Sequence, residues 1–181
     1  MAATSGNVTK PGAGATQPDN RELTLTRVFD APRALVFKAW TTPAHMMRWW
    51  GPNGFTCLSC SIDLRVGGEW RLAMRSPNGI EDRQRGVFRE IVEPERIVFT
   101  YQFEEFAGRP DSGRPMNDGA APGHQTIVTV SFEDLGGKTR LTVHQGVFQS
   151  AEARDNHIHG WSEALDHLAE FVTTSAASIK E

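Results

Sequence analysis

Cysteine is almost missing from this 181-residue chain, which has two, Cys57 and Cys60. That excludes a disulfide framework and a zinc site built from two cysteine pairs. Their Cys-x-x-Cys spacing falls within residues 55–64, a stretch that reads as strand. Three residues along a strand set the side chains on opposite faces and about 10 Å apart, beyond disulfide reach. Two packed or partly exposed thiols are therefore expected. Long apolar runs are also lacking, and none approaches the roughly 20 residues of a membrane span. Charge of one sign is not in excess: 19 Lys and Arg stand against 22 Asp and Glu, a formal net charge of -3. This gives no electrostatic case for nucleic acid or an anionic membrane as a partner. Gly-x-Ser-x-Gly, the phosphate-cradling P-loop and His-Glu-x-x-His are all absent, which removes three common routes to catalysis. Residues 1–20 are rich in Ala, Gly, Thr and Pro and have no apolar core like a signal peptide's. They are expected to be a disordered tail on a cytoplasmic protein.

Hydrophobic residues make up 39% of the chain and charged ones 23%, ordinary proportions for one globular domain, here expected over 21–175 with a short tail at 176–181. From 150 to 174 the period is helical. Ile158, Trp161, Leu165, Leu168 and Val172 share one apolar face, widened by Ala164 and Phe171. Asp155, His159, Glu163, Asp166, His167 and Glu170 take the other side. Ser150 is a good N-cap and Glu152 suits the positive end of the helix dipole. Such a helix must bury its face against a partner, and what precedes it reads as strands.

Leu23 to Phe29 reads as a strand. Asp30-Ala31-Pro32 and Thr42-Pro43 then open two short helices, carrying Val36, Phe37 and Trp40, then Met46, Met47, Trp49 and Trp50, with Gly51 as the stop. From Phe55 the period is two. Strands are expected at 55–65, 69–75, 83–92, 97–103, 126–132 and 139–148, the last two joined as a hairpin across Leu135-Gly136-Gly137-Lys138. Glu104 to Gly123, dense in Gly and Pro, is expected to be a flexible loop.

The wording is as informative as the order. Arg27-Val28-Phe29-Asp30-Ala31-Pro32, Val36-Phe37-x-Ala39-Trp40-Thr41, Trp49-Trp50-Gly51-Pro52, Asp63-x-Arg65-x-Gly67-Gly68-x-Trp70-Arg71 and Gly160-Trp161 leading to Leu165-x-x-Leu168 stand in sequence from about Arg21 to Val172. Together they resemble the branch of the START-like (SRPBCC) superfamily named after the activator of the ninety-kilodalton heat-shock protein's ATPase. The resemblance implies an α+β helix-grip fold: a curved seven-stranded antiparallel sheet wrapped around a long C-terminal helix, two short helices after the first strand, and an apolar cavity between sheet and helix.

Five Trp and ten Phe against one Tyr supply large apolar surfaces with few polar handles. By parity Trp70, Leu72 and Met74 share a face, as do Ile97, Phe99, Tyr101 and Phe103. With Trp161 and Leu165 they are the expected lining of a site for a small apolar molecule. Trp40, Trp49, Phe55, Phe88 and Leu168 complete the apolar candidates. His144, whose parity opposes Leu141 and Val143, is the polar one; whether its face is concave is left open.

His159, Glu163 and His167 share a helix side and invite a metal reading. The stripe lies opposite the apolar face, so it is expected to point to water, and no metal or other cofactor is expected. Arg71, Arg75, Arg83, Arg85 and Arg89 share one hairpin face, read as solvated because acidic residues are interspersed. Binding or sequestering a hydrophobic ligand is the leading function. A cyclase- or hydrolase-like enzyme needs converging acid and base groups, and no pair stands out. A co-chaperone role is disfavoured because the eukaryotic activators join this domain to a second, N-terminal one; a homodimer is left open.

Overall fold

Alternation and helical periodicity fold as their patterns require. The computed structural model describes residues 21–104 and 123–178, which form seven strands and three helices. They are β1 (Leu23–Phe29), α1 (Arg33–Thr41), α2 (Pro43–Trp49), β2 (Thr56–Ile62), β3 (Glu69–Arg75), β4 (Glu81–Val92), β5 (Arg96–Phe103), β6 (Thr126–Asp134), β7 (Thr139–Gly146) and α3 (Ala151–Ser178). The strands make one antiparallel sheet in the order β1-β7-β6-β5-β4-β3-β2. Neighbours in sequence are neighbours in space except that β1 closes onto β7, Leu23 opposite Gln145 and Phe29 opposite Thr139. The expected helix-grip architecture is the one observed.

Local chemistry accounts for the element ends. Ser150 Oγ accepts a hydrogen bond from the Ala153 amide at 3.1 Å, capping α3 as expected. Pro43 stands in the first turn of α2, where its missing N–H costs nothing. In the β6–β7 hairpin Gly136 and Gly137 take φ of 75° and 93°, a region that strongly favours glycine, while Asp134 Oδ1 accepts from the Gly136 amide.

The sheet's inner face carries Leu72, Phe88, Ile97, Phe99, Val128, Val130, Leu141 and Val143, all buried. Trp161, Leu165, Leu168 and Val172 of α3 are buried too, and Ile158 packs against the same core while half-exposed. Trp70 locks the sheet where its ladder is interrupted. Its indole N–H donates to Thr100 O at 3.1 Å, and the Val87 amide donates to Thr100 Oγ1 at 2.9 Å. Trp70 is paired with Gly86, and a Cβ there would overlap Thr100 O and press on the indole.

One expectation about the edge is corrected. Cys57 pairs with Met74 and Cys60 with Leu72, because a bulge at Leu58 lets two residues of β2 span one of β3. Met74 and Leu72 both face the core, so the two thiols share a face and do not oppose one another. The arginine face of β3 and β4 is exposed, with Arg71 paired to Glu69 and Glu104 and Arg75 to Glu81. Among the described residues no helix is long and apolar enough to cross a membrane. The tail expected at 1–20 and the interior of the expected loop, 105–122, lie outside the described residues, as do 179–181 of the tail expected at 176–181; residues 176–178 continue α3 instead.

Candidate functional site

Large aromatic rings meet where α1, α2 and α3 close on the sheet. Trp40 stacks on Trp161 with centroids 5.7 Å apart and meets Trp49 at 4.9 Å and Trp50 at 6.0 Å. Rings this large and stiff do not fill every space between a twisted sheet and a straight helix. A cavity of about 150 Å³ remains. Its apolar wall is Trp50, Phe55, Met74, Tyr101, Phe103 and Trp161, and Gly160 and Ala164 form its floor on α3.

Of the residues expected to line a ligand site, the structure brings five together at this cavity: Phe55, Met74, Tyr101, Phe103 and Trp161. Trp40, Trp70, Phe88 and Phe99 surround a separate gap of only about 10 Å³, too small to hold a ligand. Trp49, Leu72, Leu165 and Leu168 are buried core without a face on the cavity, and Trp49 spends its indole N–H on Ala39 O at 2.9 Å. His144 is exposed on the outer face, its Nε2 3.4 Å from Glu22 Oε2. The parity left open for it is thus resolved, and it is removed from the site. Its neighbour Gln145 points inward instead.

Gln145 is the polar link between helix and sheet. Trp161 Nε1 donates to Gln145 Oε1 at 2.7 Å, and Gln145 Nε2 donates to Thr126 Oγ1 at 2.8 Å. Thr126 Oγ1 in turn donates to Tyr101 O at 3.3 Å. Buried polar groups tied in series fix the rotation of α3 over the sheet, since any other register would strand them.

The cavity has a second, polar wall absent from the sequence reading. Asp82 and Gln84 enter from β4, only 8% and 3% exposed. Asn156 and His157 enter from the first turns of α3. Gln84 Oε1 accepts from the Trp50 indole at 3.0 Å, which fixes the amide and leaves Nε2 as its donor end. Asn156 Nδ2 is buried with no hydrogen-bond acceptor. His157 Nδ1 lies 2.9 Å from Ala153 O, a carbonyl that only accepts, so that nitrogen carries a proton. Tyr101, Phe103 and Phe148 pack around this imidazole. Parity could have found Gln84 and Asp82, which are in phase with the inward Phe88 along β4. His157 stands one helical turn before Trp161.

The rim is latched. Asn53 donates to Glu163 twice, from its amide N to Oε2 at 2.9 Å and from Nδ2 to Oε1 at 2.8 Å. That orients Asn53 Oδ1 toward His167 Nε2, 2.9 Å away, while His167 Nδ1 lies 3.1 Å from Gly51 O. Both oxygens only accept, so the ring meets both when each nitrogen carries a proton. Glu163 and His167 therefore do not point to water as expected; they hold residues 51–53, and with them Pro52, over the cavity mouth. His159 alone of the stripe is fully out, 77% exposed and 3.5 Å from Glu163. The two amide hydrogen bonds from Asn53, the backbone one foremost, hold the Glu163 carboxyl below its ordinary range. Among the described residues no three His, Cys, Asp or Glu side chains converge as metal ligands. Burial pushes the Cys57 thiol up, and burial followed by the nearby Cys57 pushes Cys60 up to about 12. Neither is a ready thiolate nucleophile.

Comparison with known proteins supplies the context for this geometry. The family model described as Activator of Hsp90 ATPase homolog 1-like protein matches residues 30–173. No curated protein matches. A solved structure from Chromobacterium violaceum is 28% identical with a TM-score of 0.67, over 84% of this chain and 96% of that one. One from Arthrobacter aurescens is 24% identical with a TM-score of 0.70, over 86% and 87%. The AHSA1 protein of Silicibacter pomeroyi is 22% identical with a TM-score of 0.69, over 85% and 99%. The last two speak to the fold alone.

Proposed function

The chain belongs to the Activator of Hsp90 ATPase homolog 1-like family, and from that premise we propose that it binds a small, largely apolar molecule in the cavity between the sheet and α3. The observation that carries this reading is the void itself: about 150 Å³ walled by Trp50, Phe55, Met74, Tyr101, Phe103 and Trp161, where the neighbouring gap among Trp40, Trp70, Phe88 and Phe99 is only about 10 Å³. Well-packed interiors leave few such spaces. An apolar cavity near 150 Å³ is large enough for benzene, so the ligand is one ring in size, smaller than a fatty acid or a flavonoid. Burying roughly 200 Å² of ligand at about 25 cal/mol/Å² yields some 5 kcal/mol before the costs of association. Micromolar-to-millimolar dissociation constants follow for a generic apolar probe.

The test is a toluene titration followed through the tryptophan indole N–H resonances. Saturable shifts at Trp50 and Trp161 are expected, with Trp49 moving less. Ala164→Met puts a longer side chain into the cavity and should abolish the shifts while the protein stays folded. Toluene producing no saturable change in the unmodified protein would reject the reading.

A further inference from the structure

A purely apolar ligand would leave the polar wall unused, and that wall is costly as it stands. Asn156 Nδ2 is buried without an acceptor, so its lost hydration is uncompensated. Gln84 is 97% buried at 3% exposure, and its Oε1 is committed to Trp50, so its Nε2 hydrogens are offered to the cavity. Two side-chain amides thus line one small space, Gln84 from β4 on one side and Asn156 from α3 on the other. Asp82, also buried, lines the same space, and the described lining holds no Lys or Arg to compensate a buried anion, which disfavours an anionic guest.

We propose that the cavity selects an uncharged single-ring aromatic bearing an oxygen acceptor, a ketone, aldehyde or carboxamide, whose carbonyl faces the amide hydrogens of Gln84 and Asn156. This rests on the cavity being a ligand site, as proposed above, and adds the ligand's chemistry to it. The ring packs between Trp50, Phe55 and Trp161. The carbonyl supplies the acceptor that Asn156 lacks. Sites with buried hydrogen-bonding groups discriminate against analogues that leave those groups unmatched far more strongly than apolar pockets discriminate by size.

Acetophenone and ethylbenzene test this, being nearly the same shape and differing by a carbonyl for a methylene. The ketone is the better hydrated of the two, so a merely apolar cavity would bind it more weakly. The structure leads us to expect acetophenone to bind about tenfold more tightly in calorimetry and indole N–H titrations, and benzoate to bind more weakly than acetophenone. Asn156→Leu, of similar size, should reverse the ketone preference. It should also raise the melting temperature of the free protein, because it removes a buried donor without a partner. Ethylbenzene binding as tightly as acetophenone, or an unchanged preference in Asn156→Leu, would overturn the carbonyl assignment and leave apolar binding intact. Benzoate binding more tightly than acetophenone would overturn the requirement for an uncharged guest. Binding of neither neutral probe would overturn both this assignment and the cavity's role as a ligand site.

Discussion

Single atoms decide how tightly this molecule is specified. At Gly86 no Cβ can be accommodated, since it would overlap Thr100 O and crowd the Trp70 indole that donates to it. Neither obstacle is a flexible side-chain end. Gly86→Ala is expected to destabilise by about 3 kcal/mol or more, combining overpacking with the lost Trp70 hydrogen bond, as measured in urea unfolding. A loss below about 1 kcal/mol would contradict the geometry. Glu163 makes a different kind of prediction. Its carboxyl is held below the ordinary range by Asn53, so the stabilisation it contributes is fully present above the ordinary carboxylate pKa of about 4.3 and disappears as the pH falls through the depressed folded value. Between pH 6 and pH 3 the unmodified protein should lose more stability than Glu163→Gln, whose side chain does not titrate. Parallel losses would show that Asn53 does not hold the ionised group.

Elements show where packing was given up. Gly160 lies in the middle of α3, where glycine costs roughly 0.5–1 kcal/mol relative to alanine. Nothing crowds it: an added Cβ would meet only Pro52 Cγ at 3.8 Å, an ordinary contact. Gly160→Ala is therefore expected to stabilise the protein by about 0.5–1 kcal/mol in thermal or denaturant melts. Because Gly160 lines the cavity, the same methyl should weaken toluene binding several-fold. A stability gain without weaker binding would place the ligand elsewhere. Trp161, one residue on, carries the opposite duty. It is stacked on Trp40 and bonded to Gln145, and Trp161→Ala should cost about 3–5 kcal/mol in urea unfolding.

The whole molecule is held by long-range pairing, the first strand against the last. β1 pairs along all seven residues with β7 and buries Leu23 and Phe29, and the Phe148 amide donates to Arg21 O. A chain that begins at Arg21 is expected to keep a cooperative unfolding transition within about 1 kcal/mol of the full chain. One that begins at Asp30 leaves the hydrogen-bonding edge of β7 open and should lose that transition and aggregate. Retained cooperativity in the shorter chain, read by circular dichroism on urea titration, would show that β1 is dispensable.

Local periodicity determined most of the architecture. Alternation in Glu69 to Arg75, the apolar face from Ile158 to Val172, the Ser150 cap and the glycines of the hairpin each report a conformation that neighbours within a few residues impose, and the family's ordered motifs supplied the sheet-on-helix arrangement. The site was legible only in part, because a void is a property of how large rings fail to meet across elements distant in sequence. Trp70 and Phe99 looked as suited to a ligand as Tyr101 and Phe103; both pairs pack edge to face, at 5.6 and 5.5 Å, yet the first borders a gap of about 10 Å³ and the second the cavity of about 150 Å³. Cys57 and Cys60 ended on one face because a single bulge at Leu58 shifted the register, and period-two counting has no access to that shift. Glu163 and His167 looked solvated on the helical wheel until the tertiary fold laid residues 51–53 across them. Which side chains face inward is largely a local matter of parity and period; which of them leave room, and what latches over that room, is settled by the docking of α3 and the 51–53 loop against the sheet.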